Sequence, residues 1–146
     1  MRADVTPTLN PYRTPREVEM LVEEFENCTL PLSRFKHPAH LAVALYYLTR
    51  ATPPEATRRM RESLLRILAR YGVAGYSETT TLFWLRRVES FLAGVDATRS
   101  VVSLLDELIA GYGDARLIYD YYTRERLMSD AARSGWTEPD LKPLDF

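Results

Sequence analysis

The sequence predicts an all-α fold, a compact bundle of about four main helices with two shorter ones, on three observations. Helix-start signatures recur along the 146 residues. Between them, apolar residues return at intervals of three and four positions, which is the spacing of one face of an α-helix. No segment alternates apolar and polar residues convincingly over four or more positions, as a half-buried strand would.

The first and third helices begin at the same signature, Thr14-Pro15-Arg16-Glu17 and Thr52-Pro53-Pro54-Glu55. In each, a threonine can cap the helix, proline suits the first helical position and glutamate can complete a capping box. We expect these helices to end near Asn27 and Arg70. Their inward faces are predicted to be Val18, Leu21, Val22 and Phe25 in the first, and Met60, Leu64, Ile67, Leu68 and Tyr71 in the third.

The second helix, from Pro38 to about Arg50, is predicted to be the most buried, because residues 41–48 are apolar almost all round. A fourth helix opens at Tyr76-Ser77-Glu78-Thr79 and runs to about Leu92. Its expected inward residues are Leu82, Leu85, Val88 and Leu92. A fifth helix is expected at about 99–110, and a short last one from a Thr123 cap to about Arg133.

One domain is expected from the chain length, with an extended arm at residues 1–13 and a non-helical tail at 135–146. Pro139 and Pro143 exclude a helix from that tail. The formal net charge of −1 gives no general attraction to nucleic acid or membranes. The single Cys28 fits a reducing compartment, and no apolar run reaches the length of a membrane span. We therefore expect a soluble, cytoplasmic protein that binds neither.

The only two histidines, His37 and His40, lie three residues apart at the start of the buried helix. The residue before a proline prefers extended dihedrals, so His37 is predicted to be a cap outside the helix, with its direction open. His40 falls in the first turn, where the helix dipole disfavours a charged imidazole. A neutral His40 can accept a proton, bind a metal or hydrogen-bond a ligand.

Glu78 is the candidate partner of this pair, because it shares a stripe with Leu82 and Leu85 on the expected inward face. Meeting His40, it would orient the imidazole for base catalysis. His37, His40 and Glu78 would also be a credible ligand set for Zn²⁺ or Fe²⁺. The simpler interpretation is a surface carboxylate that interacts favourably with the helix dipole, beside a structural pair of histidines.

Aromatic and polar residues on neighbouring helices are the candidate walls of a ligand pocket. Tyrosine and tryptophan suit this role because they combine an apolar ring with a polar group. The alternative is that they lie at the edge of the core. The predicted ligand-binding residues, besides the two histidines, are Tyr76, Thr79, Trp84, Asp120 and Tyr121.

Two motifs resemble a family of small helical bacterial proteins of uncharacterised function. These are Phe-x-His-x-x-His-Leu at Phe35–Leu41 and Tyr-x-Glu-Thr-x-Thr at Tyr76–Thr81, and the similarity extends to about residue 141. The resemblance implies an all-α fold with a site around His37, His40 and Glu78, but no reaction. Where the family pattern has histidine, this chain has Ser77, which removes a third imidazole from the implied site.

Two functions remain open from the sequence. The first is a small-molecule or metal-binding protein, in which His40 would be the general base and Glu78 its orienting group if the protein is an enzyme. The second is a protein-interaction module or homodimer, in which the histidines and Glu78 form a structural corner.

Overall fold

Five helices of twelve or more residues form the body of the protein in the computed structural model, which describes residues 9–146. No strand occurs in that range, so the all-α prediction is confirmed. The long helices are α1 (Pro15–Glu26), α2 (His37–Arg50), α3 (Pro53–Arg70), α4 (Glu78–Ala93) and α5 (Val101–Tyr112). Shorter elements are the 3₁₀ turns Leu32–Arg34 and Ala115–Asp120, and the helices α6 (Arg124–Leu127) and α7 (Asp130–Ser134).

Two details of the predicted helix count differ from the structure. Helix α5 is as long as α1 and buries Leu104, Leu105, Leu108 and Ile109, so there are five main helices and not four. The predicted last helix is divided in two, because the Ser129 side chain accepts the Ala132 N–H at 3.2 Å and starts a new helix. Such side-chain caps satisfy N–H groups that have no acceptor within the helix.

The predicted caps of α1 and α3 are confirmed. The Thr14 hydroxyl accepts the Glu17 N–H at 3.2 Å, and the Thr52 hydroxyl accepts the Glu55 N–H at 3.4 Å. The apolar face predicted for α1 is buried in full.

Helix α2 lies at the centre of the bundle and contacts α1, α3, α4 and α5. Residues 41–45 and Tyr47 are buried, as the nearly continuous apolar sequence predicts, whereas Tyr46 and Leu48 are half-buried. Together with the inward faces of the other four long helices it forms the main core.

A second, smaller cluster lies on the other side of α4, and we call it the aromatic cluster. Its buried members are Phe83, Ile118, Tyr121, Tyr122 and Leu127. Because α4 packs against the main core on one side and α7 on the other, its buried face is wider than predicted. Phe83 and Phe91 are buried along with Leu85 and Val88, whereas Leu82 and Leu92 are only half-buried.

The two ends of the described chain run outside the helices. Of the predicted extended arm, residues 1–8 lie outside the described part, and residues 9–13 precede α1 without helical structure. Residues 135–146 are non-helical and run along the aromatic cluster, where Trp136, Leu144 and Phe146 pack. Among residues 9–146, no helix has both the length and the apolar character needed to cross a bilayer.

Candidate functional site

A cavity of about 720 Å³ opens between the main core and the aromatic cluster. This volume falls within the range of about 300–1,000 Å³ that is usual for pockets that bind small organic molecules. Most of the wall is apolar. These apolar lining residues are Leu32, Phe35, Ala44, Met60, Leu64, Leu68, Trp84, Leu85, Ile118, Leu127 and Met128.

His40 lies in the first turn of α2 and lines this cavity. Its ring stacks on that of Phe35, with 3.8 Å between the ring centroids. The pKa of His40 is lowered to about 4, chiefly by burial and also by the neighbouring His37, while the Phe35 backbone partly opposes the shift. His40 is therefore neutral at pH 7, as predicted, but chiefly because of burial.

His37 also lines the cavity, and its position corrects the sequence analysis. The extended cap is Lys36, and His37 is the first residue of α2, followed by Pro38. Proline is tolerated there because the first-turn N–H groups have no acceptor within the helix. The His37 ring contacts Trp84 edge-on at 4.3 Å between centroids, and its pKa is lowered, mainly by burial.

A hydrogen bond fixes which nitrogen of the His37 ring carries the proton. His37 Nε2 lies 3.0 Å from the Tyr112 carbonyl oxygen, which can only accept, so Nε2 carries the proton. The His40 ring is also neutral at pH 7, so one of its two nitrogens carries a proton and the other does not. Each neutral ring therefore retains one unprotonated nitrogen, which acts as an acceptor.

Glu78 does not join the histidines. Arg61 on α3 binds the Glu78 carboxylate through two nitrogens, with Nε at 2.9 Å from Oε1 and Nη2 at 2.5 Å from Oε2. The Tyr76 hydroxyl donates to Oε1 at 2.5 Å. The pKa of Glu78 is lowered, first of all by hydrogen bonding to Arg61. Within residues 9–146, no hydrogen bond or ion pair links Glu78 to either histidine, and Glu78 is not part of the cavity wall.

The predicted metal-ligand set is therefore not assembled. Over the described range, no three His, Cys, Asp or Glu side chains are gathered as a group that could hold a metal ion. The pairing of His40 with Glu78 was expected because Glu78 was placed on the inward face of its own helix. Glu78 is instead the first residue of α4, where Arg61 binds its carboxylate.

The other predicted binding residues divide into two groups. Tyr76 and Trp84 line the cavity, as expected, whereas Thr79, Asp120 and Tyr121 do not. Thr79 is fully buried and bonded to the tail, donating to the Gly135 carbonyl at 2.7 Å. Tyr121 packs in the aromatic cluster, and its hydroxyl donates to Asp145 at 2.5 Å.

Several polar wall residues were missed by the sequence analysis: Ser77, Thr80, Thr81, Arg116, Tyr119 and Arg133. For Tyr119 a signal existed, since it is one of three tyrosines within residues 119–122. Only the 3₁₀ turn decides that Tyr119 and not Tyr121 lines the cavity. For Arg116 and Arg133 no signal existed, because nothing in the local pattern separates them from the many other arginines of the chain.

The chain matches no family model, and searches of curated proteins and of solved structures find no significant match. The resemblance to small helical bacterial proteins thus stays a prediction.

Proposed function

We propose that this protein binds a small, largely apolar organic molecule in the cavity between the main core and the aromatic cluster. The observation that carries the proposal is that both histidines of the chain meet in one mostly apolar cavity of about 720 Å³. Pockets for organic ligands commonly combine an apolar wall with a few convergent polar groups.

The histidines supply the polar part of this recognition. Each neutral ring keeps one nitrogen as an acceptor, so the pair suits a hydroxyl or N–H group on the ligand. Burial of the apolar part of the ligand against Trp84, Leu64 and Leu85 would supply most of the affinity.

Binding of the neutral fluorescent probe N-phenyl-1-naphthylamine tests this proposal. The variant Thr80→Trp places a bulky ring on the cavity wall, and we expect it to weaken probe binding at least about tenfold. The matched control is Thr57→Trp, a half-buried helical threonine outside the cavity. Circular dichroism and thermal melting confirm that both variants fold.

The two imidazoles give an independent readout, because they are the only ones in the chain and both line the cavity. We expect the probe to shift both imidazole C–H resonances in NMR spectra. Equal affinity for wild type and Thr80→Trp, or unshifted imidazole resonances with the probe bound, would place the probe elsewhere and refute the proposal.

A further inference from the structure

The charges around the cavity indicate what kind of molecule fits it. Among residues 9–146, two arginines and two histidines line the cavity and no aspartate or glutamate does. The carboxylates of Asp114 and Glu78, which bond to wall residues, are paired with Arg116 and Arg61. Because the histidines are neutral at pH 7, the arginines carry the charge of this wall, and their positive charge favours an anionic ligand.

The two arginines are not equivalent. Arg116 is already paired with Asp114, with Nε–Oδ1 and Nη2–Oδ2 distances of 3.0 Å each. Arg133, on α7, makes no ion pair and no side-chain hydrogen bond within residues 9–146, and its side chain is exposed where it lines the cavity. Its guanidinium therefore keeps all its donors for a ligand or for water.

The backbone on both sides of Arg133 is held in place. Ala132 is fully buried, and Gly135 accepts a hydrogen bond from the buried Thr79 hydroxyl at 2.7 Å. α7 as a whole packs against α4. This support fixes the backbone that carries Arg133, so that binding has to order only the arginine side chain.

The histidines cannot replace Arg133 in this role. They are neutral at pH 7 and offer acceptor nitrogens, and a carboxylate at that pH can only accept hydrogen bonds. The acceptor nitrogens of the histidines therefore give an acid group no hydrogen bond, whereas the exposed guanidinium attracts it.

We propose that the ligand is an organic acid, with its apolar body in the cavity and its carboxylate bound by Arg133. This inference rests on the proposed function, since it requires the cavity to be a binding site. Guanidinium groups recognise carboxylates through paired N–H donors, which a neutral amide of the same shape cannot accept equally well.

Competition between two nearly isosteric compounds tests the inference. 1-Naphthylacetate and 1-naphthylacetamide share one aromatic body and differ in charge, and each is titrated against bound N-phenyl-1-naphthylamine. We expect the acid to bind about tenfold more tightly than the amide at low salt, and this preference to shrink as NaCl is added.

The variant Arg133→Gln should bring the affinities for acid and amide to within about twofold, mainly by weakening the acid. Its matched control is Arg66→Gln, which removes the same charge from an exposed position on α3 outside the cavity and should keep the preference. If wild type shows no preference for the acid, or if Arg133→Gln keeps it, the inference is wrong. Failure of the neutral probe to bind in the cavity would instead overturn the proposed function itself.

Discussion

At the scale of single residues, the two histidines show how burial determines the protonation state of a side chain. His40 stacks on Phe35, and His37 is held by the Tyr112 carbonyl and Trp84. Both pKa values are lowered, with burial as the largest cause. The site therefore presents neutral acceptor nitrogens and not cations at physiological pH.

We expect an NMR titration of the imidazole resonances to place the pKa of His40 near 4 and that of His37 below its ordinary value of about 6.5. The variant His37→Asn assigns the two signals. A His40 midpoint at or above about 6.5 would contradict the burial that the structure describes.

The sign of the accompanying stability change follows from the same shift. Between about pH 4 and pH 6.5, unfolded His40 binds a proton that the folded state refuses, so stability increases with pH across that window. Urea unfolding at several pH values measures this slope, and His40→Phe should reduce it.

At the scale of helices, the cluster of Arg61, Glu78 and Tyr76 joins α3 to the start of α4. The Glu78 side chain is only 15% exposed, so its charge depends on Arg61, whose side chain is 38% exposed. Tyr76 links this cluster to the cavity, because its ring lines the wall while its hydroxyl donates to Glu78. Burial raises the pKa of Tyr76 to about 12, which keeps this hydroxyl a donor at pH 7.

The variant Arg61→Met should lower the free energy of unfolding by about 1–2 kcal/mol, because it leaves the Glu78 carboxylate largely buried without its cation. Partial exposure of Arg61 to water keeps the loss at the lower end of the range for charged hydrogen bonds. The control is Arg70→Met on the same helix, because Arg70 is exposed and makes no hydrogen bond or ion pair within residues 9–146; it should change stability by less than about 0.5 kcal/mol.

The effect of Arg61→Met should also depend on pH. Arg61 lowers the pKa of Glu78 in the folded state, so the stabilisation is complete above the unfolded pKa of about 4.3. It is lost as the pH falls through the lower, folded-state pKa. Denaturation of wild type and variant at pH 7 and pH 3 compares the two; a difference that grows towards pH 3 would refute this account.

At the scale of the whole molecule, the tail at residues 135–146 packs on the aromatic cluster and is bonded to α4. Thr79 on α4 donates to the Gly135 carbonyl and accepts the Thr137 N–H at 3.1 Å. Tyr122 donates to the Thr137 carbonyl at 2.6 Å. These bonds hold the end of α7, and with it Arg133, against the bundle.

Thr79→Val keeps the side-chain shape but leaves the Gly135 carbonyl and the Thr137 N–H without their partner. We expect a loss of about 1–3 kcal/mol in unfolding free energy and faster hydrogen exchange of the Thr137 amide. The control Thr57→Val removes only a bond to Pro53 within α3 and should cost less. Equal losses in the two variants would show that the tail is not held by Thr79.

Local sequence patterns were sufficient for the fold class, the threonine caps of α1 and α3, and the burial of most of α2. They also placed both histidines at the start of α2. Each depends on residues within a few positions of one another, where helical spacing and capping chemistry act directly. The same reasoning failed to predict which residues of α4 are buried. This helix packs against other helices on two sides, so it buries more than the single apolar stripe expected of a helix that packs on one side.

The sequence by itself thus determined the all-α fold and the position of the two histidines at the start of a buried helix. Only the tertiary structure decided what these residues meet. Arg61 reaches Glu78 across 17 positions, Thr79 reaches Gly135 across 56, and His37 reaches Tyr112 across 75. Such partners depend on how the helices pack, and helix packing is not visible as a periodic pattern in the sequence. For this reason the candidate site in the structure is a mostly apolar cavity lined in part by Arg133, and not the predicted metal-ligand set.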